Sequence, residues 1–131
     1  MELLTSGIPY SAYHFHLPQS LKENAEQLCW EYIQLPPEKE ELRREILGKL
    51  CDPKTFVMPG FRCEYGFNIH THGLAFISHN CVILGTAPVH IGANAFIAPS
   101  ACISCVRHAM DAHQRSETIA TSAPIAFIMT I

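Results

Sequence analysis

Isoleucine returns at six-residue intervals through the middle of this chain, at Ile77 and Ile83 and again at Ile91, Ile97 and Ile103. Thr71 holds a degenerate earlier copy, and a two-residue insertion separates Ile83 from Ile91. Four residues after each beat but the last comes a small side chain: Ala75, Cys81, Ala87, Ala95 and Ala101. A period of six is far from the helical value of about 3.6 and too regular for ordinary alternating strands. It predicts a β-helix of hexapeptide repeats, each hexad a short strand and a corner, stacked so that neighbouring coils bury one continuous core. The bulky residue fills the tube, and the small one fits where the wall turns.

The rest of the chain narrows the partners. With 131 residues, 48% of them hydrophobic, one compact unit with its own core is expected. The formal charge is only −3 and the basic residues are scattered, so neither nucleic acid nor an anionic membrane is an expected partner. The longest apolar stretch, residues 123–131, is too short to span a bilayer. The opening residues lack the basic and apolar blocks of a secretory signal, which points to the cytoplasm. The six cysteines are scattered, and in that compartment they read as reduced thiols.

Two halves differ in pattern. Residues 1–55 read as helical: Leu21, Ala25, Leu28, Cys29 and Tyr32 share one face behind Pro18 and a Ser20 cap. Pro36 and Pro37 break that helix, and a second begins at Glu38, with Leu42, Ile46 and Leu50 inward. Gly48 and the Asp52-Pro53 pair place its end near Cys51. Trp30 and Tyr32 are expected to be buried in this half. Residues 56–131 form the repeat half, with about six hexads over 71–106, or roughly two coils. Residues 106–121 break the beat and read as a loop leaving the tube, and Ser122 to Phe127 as re-entry into a third coil.

These motifs together resemble the maltose and galactoside O-acetyltransferases, the hexapeptide-repeat sugar acetyltransferases. The resemblance rests on Ser6-Gly7-Ile8-Pro9-Tyr10, the stretch from Pro59 through Tyr65-Gly66 to His70, Pro88-Val89-His90-Ile91-Gly92, Ile97-Ala98-Pro99, His108-x-x-Asp111-x-x-x-Arg115 and Pro124-Ile125. It implies a mainly β fold, a left-handed parallel β-helix behind an N-terminal helical pair, assembled as a homotrimer. It implies acetyl-CoA as acyl donor in a cleft between subunits, and a sugar such as maltose, glucose or a galactoside as acceptor, with no metal. His108 is implied as the general base, Glu64 and Ser78 as residues on the sugar, and Asp111 and Arg115 as shapers of the loop. Imidazole suits that role, because its ordinary pKa of about 6.5 leaves it mostly neutral and able to take a hydroxyl proton at pH 7. Full-length members continue into coils that supply the CoA groove and the oxyanion donor, so the chain reads as C-terminally truncated.

Other readings compete. A truncated, inactive relative would serve only for assembly or binding. Cys102-x-x-Cys105-x-x-His108 followed by His113 has spacings that a zinc site could use. Against zinc, Cys102 adjoins core Ile103 and should point away from the tube. His70-x-His72 puts two histidines on one strand face, but two ligands do not make a site, and solvated wall residues are the plainer account.

Overall fold

The structure, a computed structural model, describes residues 9–11, 19–51, 55–122 and 125–127. Its described part holds a helical pair, a triangular stack of short strands, and an arm that leaves the stack and returns. Helix α1 spans Gln19–Gln34 and α2 spans Glu40–Leu50. Three-residue strands follow: β2 (Thr55–Val57), β3 (Arg62–Glu64), β4 (Ile69–Thr71), β5 (Ala75–Ile77), β6 (Val82–Leu84), β7 (Val89–Ile91), β8 (Ala95–Ile97) and β9 (Cys102–Ser104). Strand β12 (Ile125–Phe127) completes the set, and β1 (Tyr10–Ser11) lies before the helices.

The strands stack into three parallel sheets, β2-β5-β8, β3-β6-β9 and β4-β7-β12, the architecture of a left-handed parallel β-helix. Registers are in frame: Thr55 pairs with Ala75 and Ala75 with Ala95, so one coil takes 20 residues. A perfect set of three hexads would take 18, and the two extra residues fall between the second and third sheets. The insertion between Ile83 and Ile91 is therefore a feature of the coil, because Cys63 and Thr71 in the coil below are spaced the same way. Thr55–Thr71 is itself a coil that the isoleucine beat does not reveal. Its inward positions carry Val57, Cys63 and Thr71 opposite the isoleucines of the next coil.

Ile77, Ile83, Ile91 and Ile103 are buried in one tube with Ala75, Cys81, Ala87 and Ala95. Ile97 points the same way but is only half-buried, since β8 is the last strand of its sheet among the described residues. The outer face of that sheet carries Phe56, Phe76 and Phe96 in register, with the Phe76 and Phe96 ring centroids 4.7 Å apart. At one corner Gly60 (φ +89°), Asn80 (φ +57°) and Ser100 (φ +61°) recur at the coil spacing, all in the left-handed region. Asn80 N–H donates to the Pro59 carbonyl and Ser100 N–H to that of His79, which ties the corners together.

The helices pack on the second sheet. Ala25, Leu28, Cys29 and Tyr32 are buried, and the Tyr32 hydroxyl donates to the carbonyl of Val57 on the first rung. Cys29 Sγ lies 3.9 Å from Cys63 Sγ on β3, and none of the six cysteines forms a disulfide. Four helix readings need correction. Leu21 is exposed at the start of the stripe. Ser20 lies within α1 and is not its cap, and Pro18 is outside the described residues. In α2, which starts at Glu40 and not Glu38, Leu47 and Leu50 are buried while Leu42 is exposed. Trp30 is 55% exposed, because the buried stripe of α1 passes through Cys29 and leaves its neighbour on the flank. Cys51 closes α2, and Asp52-Pro53 is outside the described residues. Among the described residues no helix is long and apolar enough to cross a membrane.

Candidate active site

After Ser104 the chain does not turn into the third sheet. It runs instead through β10 (Val106–His108), a short helix α3 (Ala112–Ser116) and β11 (Ile119–Ser122) before β12 rejoins the stack. The polar stretch that reads as a loop is thus an antiparallel hairpin, with Arg107 opposite Thr121 and His108 opposite Ala120. Strand β1 adds to its other edge through Tyr10–Ala120 and Ser11–Ile119 pairs. Buried Cys105 anchors the arm, and the buried Thr86 and Ser122 hydroxyls, 2.6 Å apart, pin its return to the second coil.

The tip is held by its own side chains. Asp111 caps α3, its Oδ2 accepting from Gln114 N–H at 3.0 Å. Arg115 turns back to donate from Nη2 to the Met110 carbonyl at 3.2 Å. Ala109 N–H donates to the Ile119 carbonyl just beyond His108. These bonds fix the turn that carries His108, which is exposed and lines a cavity of about 290 Å³ with Pro9, Met110, Asp111 and Gln114. Pro9 and β1 show that the opening segment helps to close this cavity. Nothing in the spacing of Pro9-Tyr10 reveals that.

The remaining predicted site residues are elsewhere in the chain. Glu64, on the outer face of β3, pairs with Lys22 Nζ at 3.1 Å. It lines a separate groove of about 390 Å³ with Glu26, Trp30, Arg62 and Leu84. Ser78 is buried, its backbone N–H donating to the Ile97 carbonyl at 2.9 Å, and it lines neither cavity. Within one chain the structure therefore brings His108, Asp111 and Arg115 together and leaves Glu64 and Ser78 apart from them. The structure does not bring the residues of the zinc reading to one point. Cys102 is exposed, Cys105 is buried, and His113 Nε2 sits 3.3 Å from Glu117 on the outside of the arm. Among the described residues no group of three His, Cys, Asp or Glu side chains is arranged around a metal position.

The three-sheet coil is that of a left-handed β-helix, a fold it shares with solved hexapeptide-repeat acetyltransferases. The chain is 36% identical over 129 residues to the Saccharomyces cerevisiae protein YJL218W, whose name proposes an acetyltransferase. That match covers 95% of this chain and 65% of the yeast protein. A maltose O-acetyltransferase from Clostridium difficile 630 superposes with a TM-score of 0.83 and 27% identity, covering 94% of this chain and 66% of that one. A hexapeptide-repeat acetyltransferase from Vibrio cholerae, VCA0836, solved in complex with acetyl-CoA, superposes with a TM-score of 0.74 and 25% identity over 94% of this chain and 67% of that one. No family model matches the chain. On these likenesses the chain resembles the maltose/galactoside O-acetyltransferase family of hexapeptide-repeat proteins. It spans about two-thirds of the length of these relatives.

Proposed function

We propose that this chain transfers an acetyl group from acetyl-CoA to a sugar hydroxyl, with His108 as general base. The observation that carries the reading is the placement of His108. It is an exposed imidazole at a cavity, on a hairpin whose turn is set by Asp111 and Arg115. The imidazole takes the hydroxyl proton as the sugar oxygen attacks the thioester carbonyl. The tetrahedral intermediate collapses with cleavage of the carbon–sulfur bond, the thiolate of CoA takes up a proton, and an acetyl ester is left on the sugar. No covalent enzyme intermediate is needed, so the neighbouring Cys105 has no nucleophilic part.

The acceptor class, sugars such as maltose, glucose or a galactoside, follows from the clostridial relative's name and from the sequence resemblance. Glu64, partly exposed beside Trp30, fits the acceptor side of that reading better than buried Ser78. The Glu64 groove and the His108 cavity are separate in one chain, which favours a homotrimer in which one copy's base meets another copy's acceptor wall. The test is to incubate the purified chain with acetyl-CoA and these sugars and weigh the products by mass spectrometry. Acetylated sugar is expected, and His108→Ala should lower its rate by about 10²–10⁴-fold while the fold persists. An unchanged rate in that variant would overturn the role given to His108. A folded protein that makes no product would favour a role in assembly alone.

A further inference from the structure

Two thiols that acetyl transfer does not use meet where the helical pair packs on the coil. Cys29 lies on the buried stripe of α1 and Cys63 at the middle of β3, 34 residues apart in sequence, yet their Sγ atoms are 3.9 Å apart. Both side chains are buried. Cys63 also lines the groove of about 390 Å³ that holds Glu64 and Trp30, so the pair lies one side chain behind an open surface. Scattered positions in the sequence give no sign of this pairing, which the packing of α1 on β3 creates.

Cys29 is the member of the pair that ionises. The Cys63 thiol donates to it and holds its pKa down to about 7, against burial, which raises it. The Cys63 backbone N–H and the Arg62 guanidinium add to the lowering, and Glu26 opposes it. The same thiol–thiol bond, and then burial, pushes Cys63 up, so Cys63 keeps its proton. About half of Cys29 is therefore thiolate at neutral pH, and the thiolate is the form that reacts with oxidants. A disulfide bond is about 2.05 Å long, so the two sulfurs must close by about 1.9 Å, a distance that rotation about the two Cα–Cβ bonds covers.

We propose that Cys29 and Cys63 form an oxidation site, which hydrogen peroxide converts to a disulfide that clips α1 to β3. The Cys29 thiolate attacks one peroxide oxygen, the O–O bond breaks, and the departing hydroxide takes up the proton that Cys29 had released. The Cys63 sulfur then attacks the sulfur of the Cys29 sulfenic acid. The sulfur–sulfur bond forms as the S–O bond breaks, and the hydroxyl leaves with the Cys63 proton as a second water. Two thiols lose two electrons and two protons, and one peroxide becomes two waters. The chain between the sulfurs becomes a closed loop, which restricts the unfolded state. Neither cysteine lines the His108 cavity, and the proposal does not depend on acetyl transfer.

The test treats the full chain with hydrogen peroxide at neutral pH, blocks the remaining thiols by alkylation, and maps peptides by mass spectrometry without reductant. A peptide pair linked through Cys29 and Cys63 is expected, and dithiothreitol should release it. The oxidised chain should melt at least about 3 °C above the untreated one, and the same reductant should reverse the rise. Cys63→Ser should abolish both the link and the rise, whereas Cys102→Ser, at an exposed thiol outside the pair, should leave both in place. If Cys63→Ser fails to fold, the peptide map and melt of the wild-type chain decide alone. No link between Cys29 and Cys63, a link from Cys29 to Cys51 in its stead, or an oxidised chain that melts no higher overturns the proposal.

Discussion

Ile83→Ala and Ile97→Ala delete the same atoms from the same tube, yet the coil predicts unequal costs. Ile83 is completely buried between Cys63 below and Ile103 above, so the deleted atoms leave a hole that two rungs must share. The transfer part is about 2.4 kcal/mol for three carbons at about 0.8 each. A residual cavity of roughly 60 Å³ at about 24 cal/mol per Å³ adds about 1.4 kcal/mol. The total is near 4 kcal/mol, toward the upper part of the range for such substitutions. Ile97 is half-buried with no described strand above it in its sheet, so both parts shrink and about 2 kcal/mol is expected. Urea unfolding followed by circular dichroism measures both, and a shift in midpoint at constant slope reports stability alone. Equal losses, or a loss under about 1 kcal/mol for Ile83→Ala, would refute the stacking of these two rungs.

Three further perturbations probe other parts of the fold. Gly60→Ala should destabilise by more than about 2 kcal/mol, since its φ of +89° strains any side chain and the added carbon would lie 2.0 Å from Asn80 Oδ1. Ser100→Gly, two coils further along the same corner at φ +61°, should be neutral or stabilising by about 0.5 kcal/mol, and thermal melts showing the same sign for both would contradict the corner geometry. Tyr32→Phe removes the donor to the buried Val57 carbonyl and should cost about 1–3 kcal/mol in the same urea assay. Burial first, then the neighbouring His90 and His72, holds His70 below the ordinary imidazole range. The unfolded chain therefore takes up that proton first, so stability present above about pH 6.5 is lost as pH falls toward the folded value. Melts over about pH 5–7 should show that slope, and His70→Gln should flatten it.

The fold was legible wherever the tube demands one residue type. Five isoleucines and their small partners announce the coil because only a bulky residue fills the interior and only a small one fits the corner. The first coil escaped that test because Val57, Cys63 and Thr71 fill its inward positions without repeating a name. The helix faces were readable only to within a residue or two. Which of Leu42 or Leu47 is buried, and whether Trp30 is, depends on where the sheet lies and not on helical period. His108, Asp111 and Arg115 sit together because they are close in sequence within one hairpin. The hairpin itself was hidden, since an outward-pointing arm carries no apolar alternation to mark its strands. His90 shows the same limit, for its nearness to His70 exists only through the 20-residue coil.

The role of His108 is tested most directly by a crystal structure of the chain with coenzyme A and an acceptor sugar. The expected result is the CoA thiol at the His108 cavity and a sugar hydroxyl within about 2.6–3.2 Å of an imidazole nitrogen of His108. Coenzyme A and sugar bound together at a place that His108 does not reach would contradict it.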